Sequence, residues 1–255
     1  MMLIPTMPDV LWLNVSPSFQ RFDRPLLRYL SQQLLIAQWE YLQNPDEPSS
    51  MDAPLALLHD YLKSSNQPIN LIGHSTGGLL GLLYARQYPE RVRSLTLLSV
   101  GIHAAVNWQA HYYVQLHLLR CSRQMILTQM AYKLFGYHDR SIIKGLVKIL
   151  EQDLDSSPSP HSLFQRVSVP VGGVSVPLMI CGSRDDSVVD PNQLQGWLSW
   201  LKDGDRLWEC LEGGHFFHHL YPESVGTQIL DFWQSLGSES IMHSPFSTHI
   251  PHDKM

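Results

Sequence analysis

Charge is scarce in this 255-residue chain. Asp, Glu, Lys and Arg together make up 16% of it, against roughly a quarter in an average globular domain. A basic excess is missing as well: the formal net charge is −5, which excludes a general phosphate-binding surface and argues against a nucleic-acid partner. Cysteine occurs only at Cys121, Cys181 and Cys210. These are far apart and form no Cys-x-x-Cys pair, so no disulfide framework or thiolate metal site is expected, and a reducing, cytoplasmic compartment is. No apolar run approaches the ~18 residues of a membrane-spanning helix. The apolar N-terminus has no basic residue before Arg21 and is interrupted by Pro5 and Pro8, unlike a secretory signal. What the chain does have is apolar side chains, at 44%. That is enough for a sizeable core and excludes a disordered chain. The length allows one or two domains.

Apolar segments alternate with amphipathic ones. Strands are expected at Asp9 to Val15, Ile36 to Tyr41, Ile69 to Ile72, Val92 to Val100, Val176 to Cys181 and Arg206 to Leu211. Between them, helical spacing marks Arg24 to Leu35, Asp52 to Ser65, Leu79 to Tyr88, Pro191 to Leu201 and Pro222 to Leu236. This alternation predicts an α/β fold with a mostly parallel sheet covered by helices on both faces. His103 to Pro170 breaks the rhythm and reads as an inserted helical unit. The expected organisation is therefore a core of residues 1–102 and 171–236, a helical cap of 103–170, and a mobile polar tail of 237–255.

Gly73-His74-Ser75-Thr76-Gly77 fits G-x-S-x-G between a strand and a helix. Such a turn thrusts a serine out of the strand end, and glycines two before and two after remove side chains that would collide there. The N–H of Thr76 can then stabilise an oxyanion. A serine hydroxyl is a weak nucleophile, so the reading requires a base and an acid to orient it. After the strand ending at Cys181 come Asp185 and Asp186, and both compete for the acid. The spacing Asp-x-x-Val to the following Pro191 favours Asp186, leaving Asp185 as a solvated turn residue and Asp190 as a helix cap. His215 follows Gly213-Gly214 after the last strand, where it could take the proton from Ser75 while donating to Asp186. His218 and His219 read as surface or packing residues. A zinc site of His215, His218 and His219 lacks carboxylate or thiolate ligands at metal spacing. His243, His249 and His252 read as solvated.

With these stretches, Asn70 to Gly78, Tyr88 to Leu95, Asp186 to Pro191 and Gly213 to Phe216, the chain resembles the α/β-hydrolase superfamily: esterases, lipases and C–C hydrolases with an inserted cap. The resemblance implies Ser75 as nucleophile, Asp186 as acid, His215 as base and the Thr76 N–H as oxyanion donor, with no metal and no organic cofactor. There are two departures from the family. At most eight residues precede the first strand, so the sheet is expected to lack one or two edge strands. Asn14-Val15 stands where the family has His-Gly, which makes the N–H of Ser16 the second oxyanion donor and puts a side chain where glycine is usual.

Between His103 and Leu150 there are six basic residues, Arg120, Arg123, Lys133, Arg140, Lys144 and Lys148, against one acid, Asp139. Apolar residues such as Trp108, Tyr112, Ile126, Met130 and Phe135 recur there at helical spacing. Two readings stand side by side. One is a cap with a solvated basic face. The other is a lid over an apolar acyl pocket whose basic face meets an anionic membrane. The leading expectation is a serine hydrolase cleaving a small carboxylic ester with an apolar part. Thioester or C–C hydrolysis on the same residues is an alternative, as is a low-turnover ligand-binding protein.

Overall fold

Six strands form one sheet in the order β2-β1-β3-β4-β5-β6, with every neighbouring pair parallel. They are β1 (Val10–Asn14), β2 (Ile36–Glu40), β3 (Ile69–His74), β4 (Val92–Leu98), β5 (Leu178–Ser183) and β6 (Arg206–Cys210). The computed structural model describes residues 8–242, apart from Pro45, Pro48, Asn66, Tyr137 and residues 163–166. The expectations for His243, His249 and His252 lie outside the described residues.

Parallel strands need long crossovers, and helices supply them. The helices are α1 (Gln20–Leu30), α2 (Asp52–Leu62) and α3 (Thr76–Gln87), one after each of the first three strands. Between β4 and β5 lie α4 (Trp108–Leu118), α5 (Arg123–Phe135) and α6 (Arg140–Ser156). The short α7 (Pro191–Gln195) precedes β6, and α8 (Phe217–Leu220) and α9 (Pro222–Met242) follow it. Successive strand residues point to opposite faces. Leu11 and Leu13 thus join Leu71, Leu95 and Ile180 in one core, while Val10 and Trp12 join Ile72, Met179 and Cys181 in the other, beneath α1 and α9. Burial on both faces explains why these strands read as apolar runs rather than alternating ones. Among the described residues, no helix is long and apolar enough to cross a membrane.

Several boundaries differ from expectation. Helix α1 begins four residues early, because a 3-10 turn at Pro17–Phe19 runs directly into it. It ends at Leu30 rather than Leu35. The last helix continues through Gly237 to Met242, past the expected end at Leu236, since no proline intervenes before Pro245.

The chain runs from β1 outward to β2, then returns to β3 on the opposite side of β1. This reversal opens a crevice at the carboxyl ends of β1 and β3. Ser16 and Ser75 follow those two ends. The helices between β4 and β5 are tied to the same place by Asp153 of α6, which is fully buried. Its carboxylate accepts from Ser18 Oγ at 2.9 Å, Trp108 Nε1 at 2.9 Å, Gln109 Nε2 at 3.2 Å and Ser157 Oγ at 2.6 Å. Burial raises its pKa against the opposing pull of these donors.

Candidate active site

Ser75 sits between β3 and α3 with φ 49° and ψ −117°, in the left-handed half of backbone space that a residue with a side chain rarely occupies. The turn is tight enough to demand its glycines. A Cβ on Gly73 would lie 2.5 Å from the carbonyl carbon of Gly77, and one on Gly77 would lie 2.3 Å from the carbonyl oxygen of Leu13. The strained turn is held by Ser75 N–H donating to Leu98 O at 2.9 Å.

The structure brings Ser75, His215 and Asp186 into one hydrogen-bonded line. His215 Nε2 lies 3.1 Å from Ser75 Oγ, and His215 Nδ1 lies 2.9 Å from Asp186 Oδ2. Both His215 and Asp186 are buried. The other oxygen of Asp186 accepts the N–H groups of Val188 at 2.8 Å and Val189 at 3.1 Å. Burial is the largest single influence on this carboxyl and pushes its pKa up. The neighbouring His215 and the two N–H groups together outweigh it and hold the acid below its ordinary range. Thr76 opens α3, and the first N–H of a helix has no carbonyl partner within it. Its Oγ1 accepts from Asn107 Nδ2 at 3.0 Å, and Asn107 in turn caps α4 through Ala110 N–H. The first helix after β4 is thereby fastened to the serine turn.

A family model described as the alpha/beta hydrolase fold matches residues 50–119. An uncharacterized protein of Nostoc sp. is 49% identical over 89% of this chain and 90% of its own length. One of Synechocystis sp. is 46% identical over 94% of this chain and 96% of its own. The chain belongs to the α/β-hydrolase family. Among solved structures, carboxylesterase CesB (YbfK) from Bacillus subtilis shares the fold, with a TM-score of 0.67 at 16% identity, covering 91% of this chain and 85% of that one.

Some contacts of this α/β hydrolase depart from expectation. The N–H of Ser16 donates to Asn14 Oδ1 at 3.1 Å. A short polar side chain captures the N–H two residues on, so the second expected oxyanion donor is already engaged. Asn14 is itself held by donating to Glu40 Oε1 at 3.3 Å. Asp185 is not merely solvated. It accepts the N–H groups of Gly213 at 3.3 Å and Gly214 at 2.8 Å, and the hydroxyl of Ser183 at 2.6 Å. Burial raises its pKa, but those three donors outweigh it and leave the carboxyl lowered. Asp185 therefore shapes the turn that presents His215, while Asp190 caps α7 as expected.

His218, expected as a surface or packing residue, is fully buried. Its Nε2 lies 3.0 Å from Oδ1 of Asp23, also buried. Burial pushes Asp23 up to about 8 and His218 down to about 3, so both are neutral near pH 7. With His74 they form, among the described residues, the group whose donor atoms could hold a metal ion, all within 4.8 Å of one another; His215 and His219 are not part of it. No sequence pattern links Asp23 to His218. They meet because α1 and α8 pack on the same end of the sheet.

Ser75, His74 and His215 line a chamber of about 10 Å³, closed by Phe19, Trp108 and the turn after β1. That volume holds about one water molecule.

Proposed function

We propose that this α/β hydrolase cleaves a small carboxylic ester through Ser75, His215 and Asp186. The observation that carries the reading is the unbroken line from Ser75 Oγ to His215 to a buried, hydrogen-bonded Asp186. Ser75 Oγ attacks the ester carbon as its proton passes to His215 Nε2, and the carbonyl π electrons move to oxygen. The oxyanion faces the N–H of Thr76, with that of Ser16 joining once Asn14 releases it. The carbon–oxygen bond to the alcohol then breaks, and His215 returns the proton to the departing oxygen. Water repeats the sequence on the acyl-serine and restores Ser75. Asp186 holds the imidazole in the tautomer that accepts at Nε2. In this reading residues 103–170 are the cap.

Fluorophosphonate labelling followed by intact mass tests the assignment. A stoichiometric adduct on the wild type, absent from Ser75→Ala and much slower on His215→Ala, is expected. Equal labelling of Ser75→Ala would overturn it. The same residues suit thioester or carbon–carbon bond hydrolysis, which a substrate panel separates.

A second reading, a ligand-binding protein of low turnover, is favoured by the engaged Ser16 N–H and the 10 Å³ chamber. It gains if no ester is turned over above the Ser75→Ala background.

The six basic cap residues are all exposed, as are Leu118, Leu119 and Met125 of the same region. That mix suits a cytoplasmic enzyme touching an anionic membrane surface. Flotation with and without anionic lipid tests this, and equal recovery in both would sink it.

A further inference from the structure

The small chamber at Ser75 has a much larger neighbour. A groove of about 530 Å³ runs between the end of α5, the start of α1 and the turn carrying His215. This is the size of a small-molecule site. One layer of aromatic rings separates the two spaces. Phe19 lines the chamber, while Phe22, Phe135 and Phe216 line the groove. The Phe216 ring lies 5.3 Å from Phe19, 4.8 Å from Phe22 and 4.8 Å from Phe135, centroid to centroid, and is within 11° of parallel to Phe135. Phe216 directly follows His215. Phe135 is the last residue of α5, and it is followed by Gly136 at φ 76°. Phe135 is thus placed where its ring can swing without breaking interior helix hydrogen bonds.

The groove's chemistry indicates what it holds. Leu134, Ile142, Leu220 and Tyr221 join the three rings along it, and Ile142 and Leu220 are exposed to 48% and 60%. Its charges offset one another, with Arg21 and Lys133 set against Asp185 and Glu212. Asp185 is occupied by the Gly213 and Gly214 N–H groups, Glu212 accepts from the Tyr221 hydroxyl, and Arg21 lies 4.6 Å over the Phe22 ring. Neither charge sign is favoured, and apart from His138 and His219 the remaining side chains are apolar or aromatic.

We infer that the groove is the acyl chamber of the catalytic site, that Phe135 gates it, and that the substrate is an ester of a neutral, medium-to-long apolar acid. The inference rests on Ser75 being the nucleophile. Swinging the Phe135 ring aside joins the two spaces, letting the acyl chain occupy the groove while its carbonyl reaches Ser75.

The test uses p-nitrophenyl esters from acetyl to dodecanoyl with wild type, Phe135→Ala, Ile142→Trp and Leu220→Trp, each confirmed as folded by thermal melting. Ile142→Trp and Leu220→Trp fill the groove from its exposed side. Each should lower the ratio of decanoyl to acetyl kcat/KM by about tenfold or more, and Phe135→Ala should raise it by about as much. Unchanged ratios in the filled variants would overturn the inference. Calorimetric binding of decanoate to Ser75→Ala examines the groove without turnover. Binding that Ile142→Trp in the same background abolishes is expected, and no binding, or binding insensitive to that change, overturns the acyl chamber. An enzyme that fails on every ester but binds decanoate in the groove would refute the esterase reading alone.

Discussion

His74 Nε2 donates to the backbone carbonyl of His215 across 2.8 Å. Ser99 Oγ donates to the same oxygen at 3.0 Å, so two residues on neighbouring strand ends fix the loop bearing the candidate base. Burial, reinforced by the adjacent His218 and His215, holds His74 well below the ordinary histidine range. It therefore remains a neutral donor at working pH. His74→Leu should lower kcat for a short aryl ester about ten- to a hundredfold through misplacement of His215, with KM little changed. His74→Gln, which keeps a donor, should recover part of the loss. An unchanged kcat in His74→Leu would show that Ser99 suffices.

Asp185 acts on the same loop from the other side. Asp185→Ala removes the acceptor for the Gly213 and Gly214 N–H groups. The expected result is a fall in kcat of about tenfold, partly restored by Asp185→Asn. Kinetics on the three proteins check this, and equal rates would mean that the glycines hold their turn unaided.

Asn14 bears on the oxyanion. Its side chain holds the Ser16 N–H, and removing one oxyanion donor costs about a hundredfold or more in other serine hydrolases. Asn14→Ala frees that N–H and should raise kcat by about tenfold. A fall instead would show that Asn14 supports the turn after β1 more than it obstructs it.

Asp23 makes stability depend on pH. Its carboxyl is pushed up to about 8 in the folded protein, against about 3.9 in an unfolded chain. Between those values the folded state holds a proton that the unfolded state has lost, so this group's contribution to stability falls as pH rises from about 4 to 8 and then levels off. Asp23→Asn mimics the protonated acid and removes the dependence. Its melting temperature relative to wild type should be higher at pH 8 than at pH 5. The same difference at both pH values would mean that Asp23 does not titrate across that range.

How much was legible from sequence varies residue by residue. Ser75, Asp186 and His215 stand out because each follows a strand at a turn whose glycines or spacing mark it. The parallel sheet is legible for a related reason, since strands buried on both faces leave continuous apolar runs. Asp23 and His218 are not legible: 195 residues separate them, and only the packing of α1 and α8 brings them together. The capture of Ser16 by Asn14 is local, and asparagine's habit of binding the N–H two residues on is its signal. Asp185 reads as a bystander because the partners that tie it to the His215 turn are the backbone N–H groups of Gly213 and Gly214, which leave no trace in side-chain patterns.

The four donors to Asp153 come from both sides of a seam: Ser18 from the turn after β1, and Trp108, Gln109 and Ser157 from the stretch between β4 and β5. Such a seam makes the helices between β4 and β5 a poor candidate for transplantation. Exchanging α4 to α6 for another family member's helices would leave the half-buried Ser18 hydroxyl without this acceptor unless the incoming piece carried its own at the same point. Diversification of this protein by replacing α4 to α6 as a unit is thus constrained at one position, and a chimera that keeps an acidic residue facing Ser18 should melt at a higher temperature than one without it.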